Sequence, residues 1–367
     1  MEGFLMETYL VGGAVRDELL GLPVHERDFV VVGSTEEAMK AAGFRSVGRD
    51  FPVFLHPETQ EEYALARTER KTGPGHQGFV CHASPEVTLD EDLARRDLTI
   101  NAIARDDEGN LVDPYSGKKD LDARILRHVS DAFSEDPLRI LRVARFLAYL
   151  SPFGFSVDPS TTKLLKAMVA QGQLTELTPE RVLLEMDKAL ATAKPEAFFT
   201  YLDEIGATKD LWPEITDHAV QKLREIDATD KDARFSALVM HLDEKQISAL
   251  CNRLKCTNQR RELSVLVATR LERWRELDTM EAVEVVDYLY DLDAIRKQER
   301  FEHFCVSAEA LSHDPSHKGL AQRWMDLAQQ VREVKARDIA DGLTGPAVGE
   351  AVRKAQVASI RSALNGR

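Results

Sequence analysis

The hydrophobic pattern changes period once along the chain, near residue 130. Before that point, short β-rich runs alternate with turns containing Gly, Pro and Asp: TYLV (8–11), DFVVV (28–32), PVFLH (52–56) and EEYALA (61–66). HPETQE, between the last two runs, predicts a hairpin. After that point, apolar residues recur at three- and four-residue spacing. Examples are DPLRILRVARFLAYL (136–150), ERVLLEMDKALATA (180–193), RRELSVLVATRLERW (260–274) and EAVEVVDYLYDL (281–292). A chain with this switch is α+β. An N-terminal head carries a small β-sheet and helices, and an all-α C-terminal region follows. The final stretch, residues 335–364, reads as a helix, a Gly/Pro break and a second helix.

The chain has 367 residues, enough for two or more domains. No apolar run approaches the ~20 residues needed to span a bilayer. The acidic N-terminus lacks the pattern of a secretory leader. Cys81, Cys251, Cys256 and Cys305 show no CxxC spacing, so reduced thiols of a cytoplasmic protein are expected rather than a disulfide frame or a zinc site. The net charge of −14 argues against a protein that coats nucleic acid non-specifically. Any RNA role must therefore rest on clustered arginines.

Residues 9–28, YLVGGAVRDELLGLPVHERD, hold the first functional pattern. TYLV makes a strand. Gly12 and Gly13 allow a sharp turn and a close approach of backbone to a bound group. AVRDELL then forms a helix whose start can face a phosphate, with Arg16 adding positive charge one turn in. ERDFVVV reads as the next strand. Residues two apart on a strand share a face, so Glu26 and Asp28 are expected to point together, with α-carbons roughly 6.5 Å apart. That pair suits Mg²⁺, which takes one or two carboxylates plus substrate phosphates. Turn, arginine and acid pair in this order suggest phosphoryl or nucleotidyl transfer.

SEDPLRILRVARF (134–146) holds the second pattern. Pro137 favours a first helical turn, with Asp136 as its cap. Arg139, Arg142 and Arg145 recur every three residues, which spreads Asp136 and Arg145 about 13.5 Å along the axis, close to the length of an extended nucleoside triphosphate. DLARRDLTINAIA (92–104) adds Arg95 and Arg96, of which Arg96 could reach a triphosphate. KTGPGHQGF (71–79) reads as a mobile loop.

Taken together, these segments resemble the class II tRNA nucleotidyltransferases, the CCA-adding enzymes of the polymerase β-like nucleotidyltransferase superfamily, and look like the bacterial branch. LVGGAVRDELLG with ERD resembles motif A, RRDLTINA motif B, DPYSGKKDL motif C, EDPLRILRVARF motif D and LTPERVLLEM motif E. The resemblance covers residues 9 to about 190. It implies a nucleotidyltransferase that adds C, C and A from CTP and ATP to the 3′ end of tRNA, without a nucleic-acid template, and releases pyrophosphate. It implies that Glu26 and Asp28 hold Mg²⁺. Gly13, Arg16, Arg96, Arg142 and Arg145 would contact the nucleotide, mainly its phosphates, and Asp136 and Arg139 would pair with the base edge. Glu62 is a weaker candidate for a third acid. The implied layout is a nucleotidyltransferase head (palm) over 1–130, a nucleotide-selecting helical neck over 131–210, and a helical body and tail over 211–367 that binds the tRNA acceptor end and elbow. Arg260–Arg261, Arg270–Arg273–Arg275 and Arg353–Lys354 are the candidate basic clusters there. No membrane or protein partner is implied.

Two departures from the family pattern stand out. The first acid is Glu26, where the family usually carries Asp. Some bacterial relatives have a C-terminal phosphohydrolase marked by adjacent His-Asp, whereas here Leu242 separates His241 from Asp243, which predicts a structural His241. The alternatives are a narrower terminal nucleotidyltransferase (A-only, C-only or poly(A)) and a catalytically weakened RNA-binding relative. Shortening of the 71–79 loop typifies A-only relatives, and its full length here favours complete CCA addition.

Overall fold

A computed structural model describes residues 6–47, 52–71, 79–226, 230–312, 314–339 and 344–365. The expected loop at 71–79 falls largely outside these residues. Strand β1 (Glu7–Val11) runs into helix α1 (Gly13–Leu19), and strand β2 (Asp28–Val32) follows. Helix α2 (Glu36–Ala41) and strands β3 (Arg45–Ser46), β4 (Val53–Leu55) and β5 (Glu62–Leu65) come next. β4 and β5 form the expected hairpin. A separate hairpin, β6 (Arg67–Lys71) with β7 (Phe79–Ala83), leads to helix α3 (Leu89–Ala94). The head continues through β8 (Ala104–Arg105), β9 (Leu111–Val112), α4 (Gly117–Asp122) and β10 (Ile125–Leu126).

Among the described residues, the main sheet has seven strands in the order β3-β4-β5-β2-β1-β8-β9, with β2 and β5 parallel and the other neighbouring pairs antiparallel. Alternation along the strands gives the sheet two packed faces. Leu10 of β1 meets Ala14 and Val15 of α1 on one face. Val11 and Val30 meet Leu93 of α3 on the other. Asp28 is the register partner of both Val11 and Glu62, so it shares the α3 face. Thr88 and Glu91 close a reciprocal capping box that starts α3. Gly117 starts α4 where a Cβ would lie 2.1 Å from the Thr99 carbonyl oxygen, so only glycine lets α4 pack against the 3-10 turn Thr99–Asn101.

Beyond the head lie α5 (Leu138–Leu150), β11 (Ser156–Val157), α6 (Pro159–Ala170), α7 (Pro179–Leu190), α8 (Glu196–Glu204) and α9 (Thr208–Leu211). Leu138, Ile140, Leu141, Val143 and Ala144 are buried, as an amphipathic helix requires. The described chain divides into two units. The first takes residues up to 189 together with 197–211, so it contains the head and most of this helical stretch. The second takes 190–196 and 212 onward.

The second unit is helical: α10 (Asp217–Lys222), α11 (Lys231–Val239), α12 (Glu244–Leu254), α13 (Asn258–Arg275), α14 (Ala282–Asp291), α15 (Gln298–Ala310), α16 (Leu320–Glu333) and α17 (Pro346–Asn365). Its core holds Phe235, Trp274, Phe301, Phe304 and Trp324, and the Trp324 indole N–H donates to the Trp274 carbonyl at 2.9 Å. Asp243 caps α12 through a capping box, and the His241 ring meets the Glu214 carbonyl at 3.0 Å. The final stretch departs from expectation. Residues 336–338 make a 3-10 turn where the first helix is expected, residues 340–343 lie outside the described residues, and α17 forms as expected. Among the described residues, no helix is long and apolar enough to cross a membrane.

Candidate active site

The end of β1 fixes the first wall of the site. Gly12 has φ +70°, and a Cβ there would sit 2.9 Å from Nη1 of Arg96. Glycine is therefore needed twice over, for its backbone angle and for the approach of an arginine. Asp28 starts the adjacent strand. Glu26 lies two residues ahead of the first residue of that strand, in irregular backbone, so the expected strand alternation does not govern it. Its charge nonetheless reaches Asp28. Burial raises the Asp28 pKa, the Arg96 guanidinium pulls it down, and the Glu26 carboxylate pushes it up again.

Between these walls and α5 is a cavity of about 520 Å³. Gly13, Asp28, Arg96, Asp136, Arg139 and Arg142 line it, which brings together six of the nine residues that the sequence singles out. Arg67, Arg95 and Arg181 line it too. Among the described residues, six arginines thus face three aspartates, Asp28, Asp97 and Asp136. In a chain of net charge −14, the cavity concentrates positive charge.

Helix α5 carries the arginines at different angles. Each three-residue step falls about 60° short of a full turn, so Arg139 and Arg145 diverge by about 120°. Arg139 Nη1 donates to the Ala132 carbonyl at 3.0 Å and its Nη2 to the Arg95 carbonyl, with the guanidinium 5.5 Å from the Phe133 ring centre. Arg142 grips Asp97 Oδ2 with Nε and Nη2 at 2.7 and 2.6 Å. Arg145 is absent from the cavity lining. It pairs with buried Glu185 of α7 at 2.5 Å. Asp136 is extended, Pro137 is already helical, and Asp136 Oδ1 accepts the Leu138 N–H at 3.0 Å, so Asp136 caps the first turn of α5 as expected. Arg181 of α7 donates to both Asp136 oxygens, at 3.4 and 3.1 Å.

Arg16 also sits behind the lining. It is 5% exposed, bonds Asp17 at 2.8 and 3.0 Å and Asn101 Oδ1 at 2.7 Å, and lies over Phe146 and Tyr149. Asn101 in turn donates to Asp97 Oδ1 at 3.0 Å. A continuous polar chain therefore runs Asp17–Arg16–Asn101–Asp97–Arg142. Burial alone would raise the Asp97 pKa. The Arg142 charge and the bonds from Asn101 and Arg142 outweigh it and hold the carboxyl well below its usual range. Asp97 and Asn101 lie in motif B and Arg181 and Glu185 in motif E, but residue order marks only these segments, and the partners of the four side chains come from tertiary packing.

Among the described residues, no three His, Cys, Asp or Glu side chains come together as a metal cage. Glu26 and Asp28 fit a divalent cation differently. They are hard oxygen donors, and desolvation, with a smaller push from the Glu26 charge, raises the Asp28 pKa; a divalent cation would take such donors together with substrate phosphates.

The chain matches two family models, "Poly A polymerase head domain" over residues 8–127 and "Probable RNA and SrmB- binding site of polymerase A" over 154–218. It is 46% identical to the multifunctional CCA protein of Thioalkalivibrio sulfidiphilus, over 97% of this chain and 98% of that one. It is 44% identical to the CCA-adding enzyme of Coxiella burnetii, over 98% and 96%. Its fold is similar to an apo form of a CCA-adding enzyme (TM-score 0.75, 24% identity, 97% of this chain and 88% of that one). A tRNA-processing enzyme solved with CTP shares the fold at TM-score 0.67 and 23% identity, over 97% of both chains. With such identity over nearly the full length of its relatives, the chain belongs to the CCA-adding enzyme family of nucleotidyltransferases.

Proposed function

We propose that this protein adds C, C and A, from CTP and ATP, to the 3′ end of tRNA, choosing each nucleotide with its own side chains. The observation that carries this reading is the six-arginine cavity, with Asp28 at one wall and the Asp136–Arg139 end of α5 at another. A nucleoside triphosphate has a charged tail and a neutral base, and this lining offers a partner for each. Arg96 and Arg142 hold the triphosphate and receive the departing pyrophosphate. Arg139 presents donors to ring nitrogen or carbonyl acceptors, in a plane set by two backbone carbonyls. Asp136 presents acceptors to the exocyclic amine that cytosine and adenine share and uracil lacks. A carboxylate has about four acceptor sites, so pairing with Arg181 does not exhaust it.

Glu26 and Asp28 would hold the divalent ion, Mg²⁺ in this reading. When bound, such an ion lowers the pKa of the attacking hydroxyl and neutralises charge on the phosphoryl oxygens. The tRNA 3′ hydroxyl attacks the α-phosphorus in line, and pyrophosphate leaves toward the arginines. Arg16 and Arg145 act as supports: Arg16 steadies Arg142 through Asn101 and Asp97, and Arg145 anchors α5 to α7 through Glu185. The division into head (1–130), neck (131–210) and tRNA-binding body and tail (211–367) belongs to this reading, as does a cytoplasmic location.

The test is extension of a tRNA transcript lacking its CCA end, with CTP and ATP supplied singly and together. The expected result is two C additions with CTP, one further A when ATP is added, one pyrophosphate per addition, and then arrest. Addition of A alone to a transcript ending in CC would identify a narrower enzyme. Binding of the transcript without extension would identify a non-catalytic RNA-binding relative.

A further inference from the structure

Asp92 contacts three cavity arginines, Arg67 through its backbone and Arg95 and Arg96 through their side chains, without lining the cavity itself. It is completely buried within the six-residue helix α3. Its Oδ1 accepts the Arg67 backbone N–H at 3.3 Å and Arg95 Nε and Nη2 at 3.0 and 2.8 Å. Its Oδ2 accepts Arg96 Nη2 at 3.3 Å. Burial would push this carboxyl toward its neutral form, but the charges of Arg95 and Arg96 outweigh it and keep it ionised. One carboxylate thus joins the first residue of the β6–β7 hairpin to both arginines of motif B.

The backbone of Arg95 makes a further link. Arg95 caps the C-terminus of α3, where helix carbonyls lack an intrahelical partner. That carbonyl accepts the Arg139 Nη2 donor. The Arg95 side chain folds back on Asp92 across one helical turn, so Asp92 clamps the turn that presents the carbonyl to Arg139.

We propose that Asp92 is a positioning residue for base selection: it fixes the end of α3, and through the Arg95 carbonyl it sets the orientation of the Arg139 guanidinium. This rests on the reading above, in which Arg139 meets the base edge. A carboxamide at position 92 keeps the shape but loses the charge that holds the two arginines. One of its two polar atoms also becomes a donor facing a donor.

The experiment measures kcat and KM for CTP and UTP with the full-length protein and a tRNA transcript lacking CCA, in wild type, Asp92→Asn, Arg139→Ala and the double variant. Melting temperatures are recorded for each. The expected result is a fall in CTP-over-UTP preference of about tenfold in Asp92→Asn, the size of one hydrogen bond's contribution. In the Arg139→Ala background, Asp92→Asn should cost no further preference, since the two act through one link. Arg95→Ala provides the same test if Asp92→Asn does not fold, and should lose preference to a similar degree. An unchanged preference with only a lowered melting temperature overturns the proposal, as do losses that multiply in the double variant. A wild-type protein that extends no transcript overturns the CCA-adding reading instead, and that failure is visible before any variant is compared.

Discussion

Both units bury arginine–carboxylate contacts, but around different things. In the second unit, Arg260 pairs with Asp232, and Arg234 donates to the carbonyls of Leu190 and Thr192, at the end of one helix and just beyond it. His303 meets Asp230, which caps α11. These groups tie helix ends together within the unit. In the first unit, Arg96 and Arg142 are likewise paired, with Asp92 and Asp97, yet both also line a cavity. A buried ion pair is weak evidence for stability, because desolvation can match the Coulombic gain. The comparison suggests why each set is kept: architecture in the second unit, aim in the first.

The largest effect should separate chemistry from binding. Asp28→Ala is expected to lower CMP and AMP addition by on the order of 10³-fold, the size seen when one preorganised electrostatic group is lost, while tRNA affinity stays near wild type. Substantial turnover in steady-state extension assays would remove Asp28 from the chemical step.

The next pair of variants addresses the comparison itself. Asp232→Ala removes the carboxylate that the buried Arg260 guanidinium, 4% exposed, meets at 2.5 Å, so a loss of about 3–5 kcal/mol is expected in urea denaturation. KM for CTP and ATP should not change. Asp97→Ala strands Arg142, whose side chain is one-third exposed and partly solvated, so the stability loss should be smaller, about 2 kcal/mol. Here KM should rise for both nucleotides. If the two variants changed stability and KM alike, the division between architecture and aim would fail.

The smallest effect is the pH dependence of the His303–Asp230 contact. The bond to Asp230 raises the His303 pKa, and the reciprocal bond lowers Asp230 to about 2. The histidine contribution is therefore complete below its unfolded pKa near 6.5 and is lost as pH rises through the raised folded value. The aspartate contribution is complete above about 3.9 and is lost as pH falls through about 2. Both groups are partly exposed, so about 1 kcal/mol or less is at stake. Urea midpoints should decline above pH ~6.5 in the wild type and less so in His303→Gln; identical profiles would show that the contact carries no net stability.

Much of this was legible in residue order because the signals are local. The β1–Gly12–α1 turn, the β4–β5 hairpin and α5 follow from glycine chemistry and apolar spacing within one short window each. What was not legible depends on angles around helices and on distant partners. The spacing of Arg139, Arg142 and Arg145 suggests one face, but 120° of rotation turns Arg145 to Glu185, 40 residues away. Arg16 reads as a phosphate ligand, and residue order does not show that it bonds Asn101 and lies over Phe146 behind the cavity lining. Glu26 reads as a strand residue because the run ERDFVVV does not reveal where pairing with β1 stops. Arg181 and Asp92 are ordinary helix charges in sequence, and only tertiary packing places them on Asp136 and on the motif B arginines.

Nucleotide choice by α5 is tested most directly by misincorporation with all four nucleoside triphosphates in Asp136→Ala and Arg142→Ala. Asp136→Ala should relax discrimination against UTP by up to about 1–3 kcal/mol, the cost of one lost buried partner. Arg142→Ala should weaken CTP and ATP use by one common factor, since both carry the same triphosphate. Loss of CTP, ATP and UTP use by a single factor in Asp136→Ala would contradict this and leave Asp136 as no more than the cap of α5.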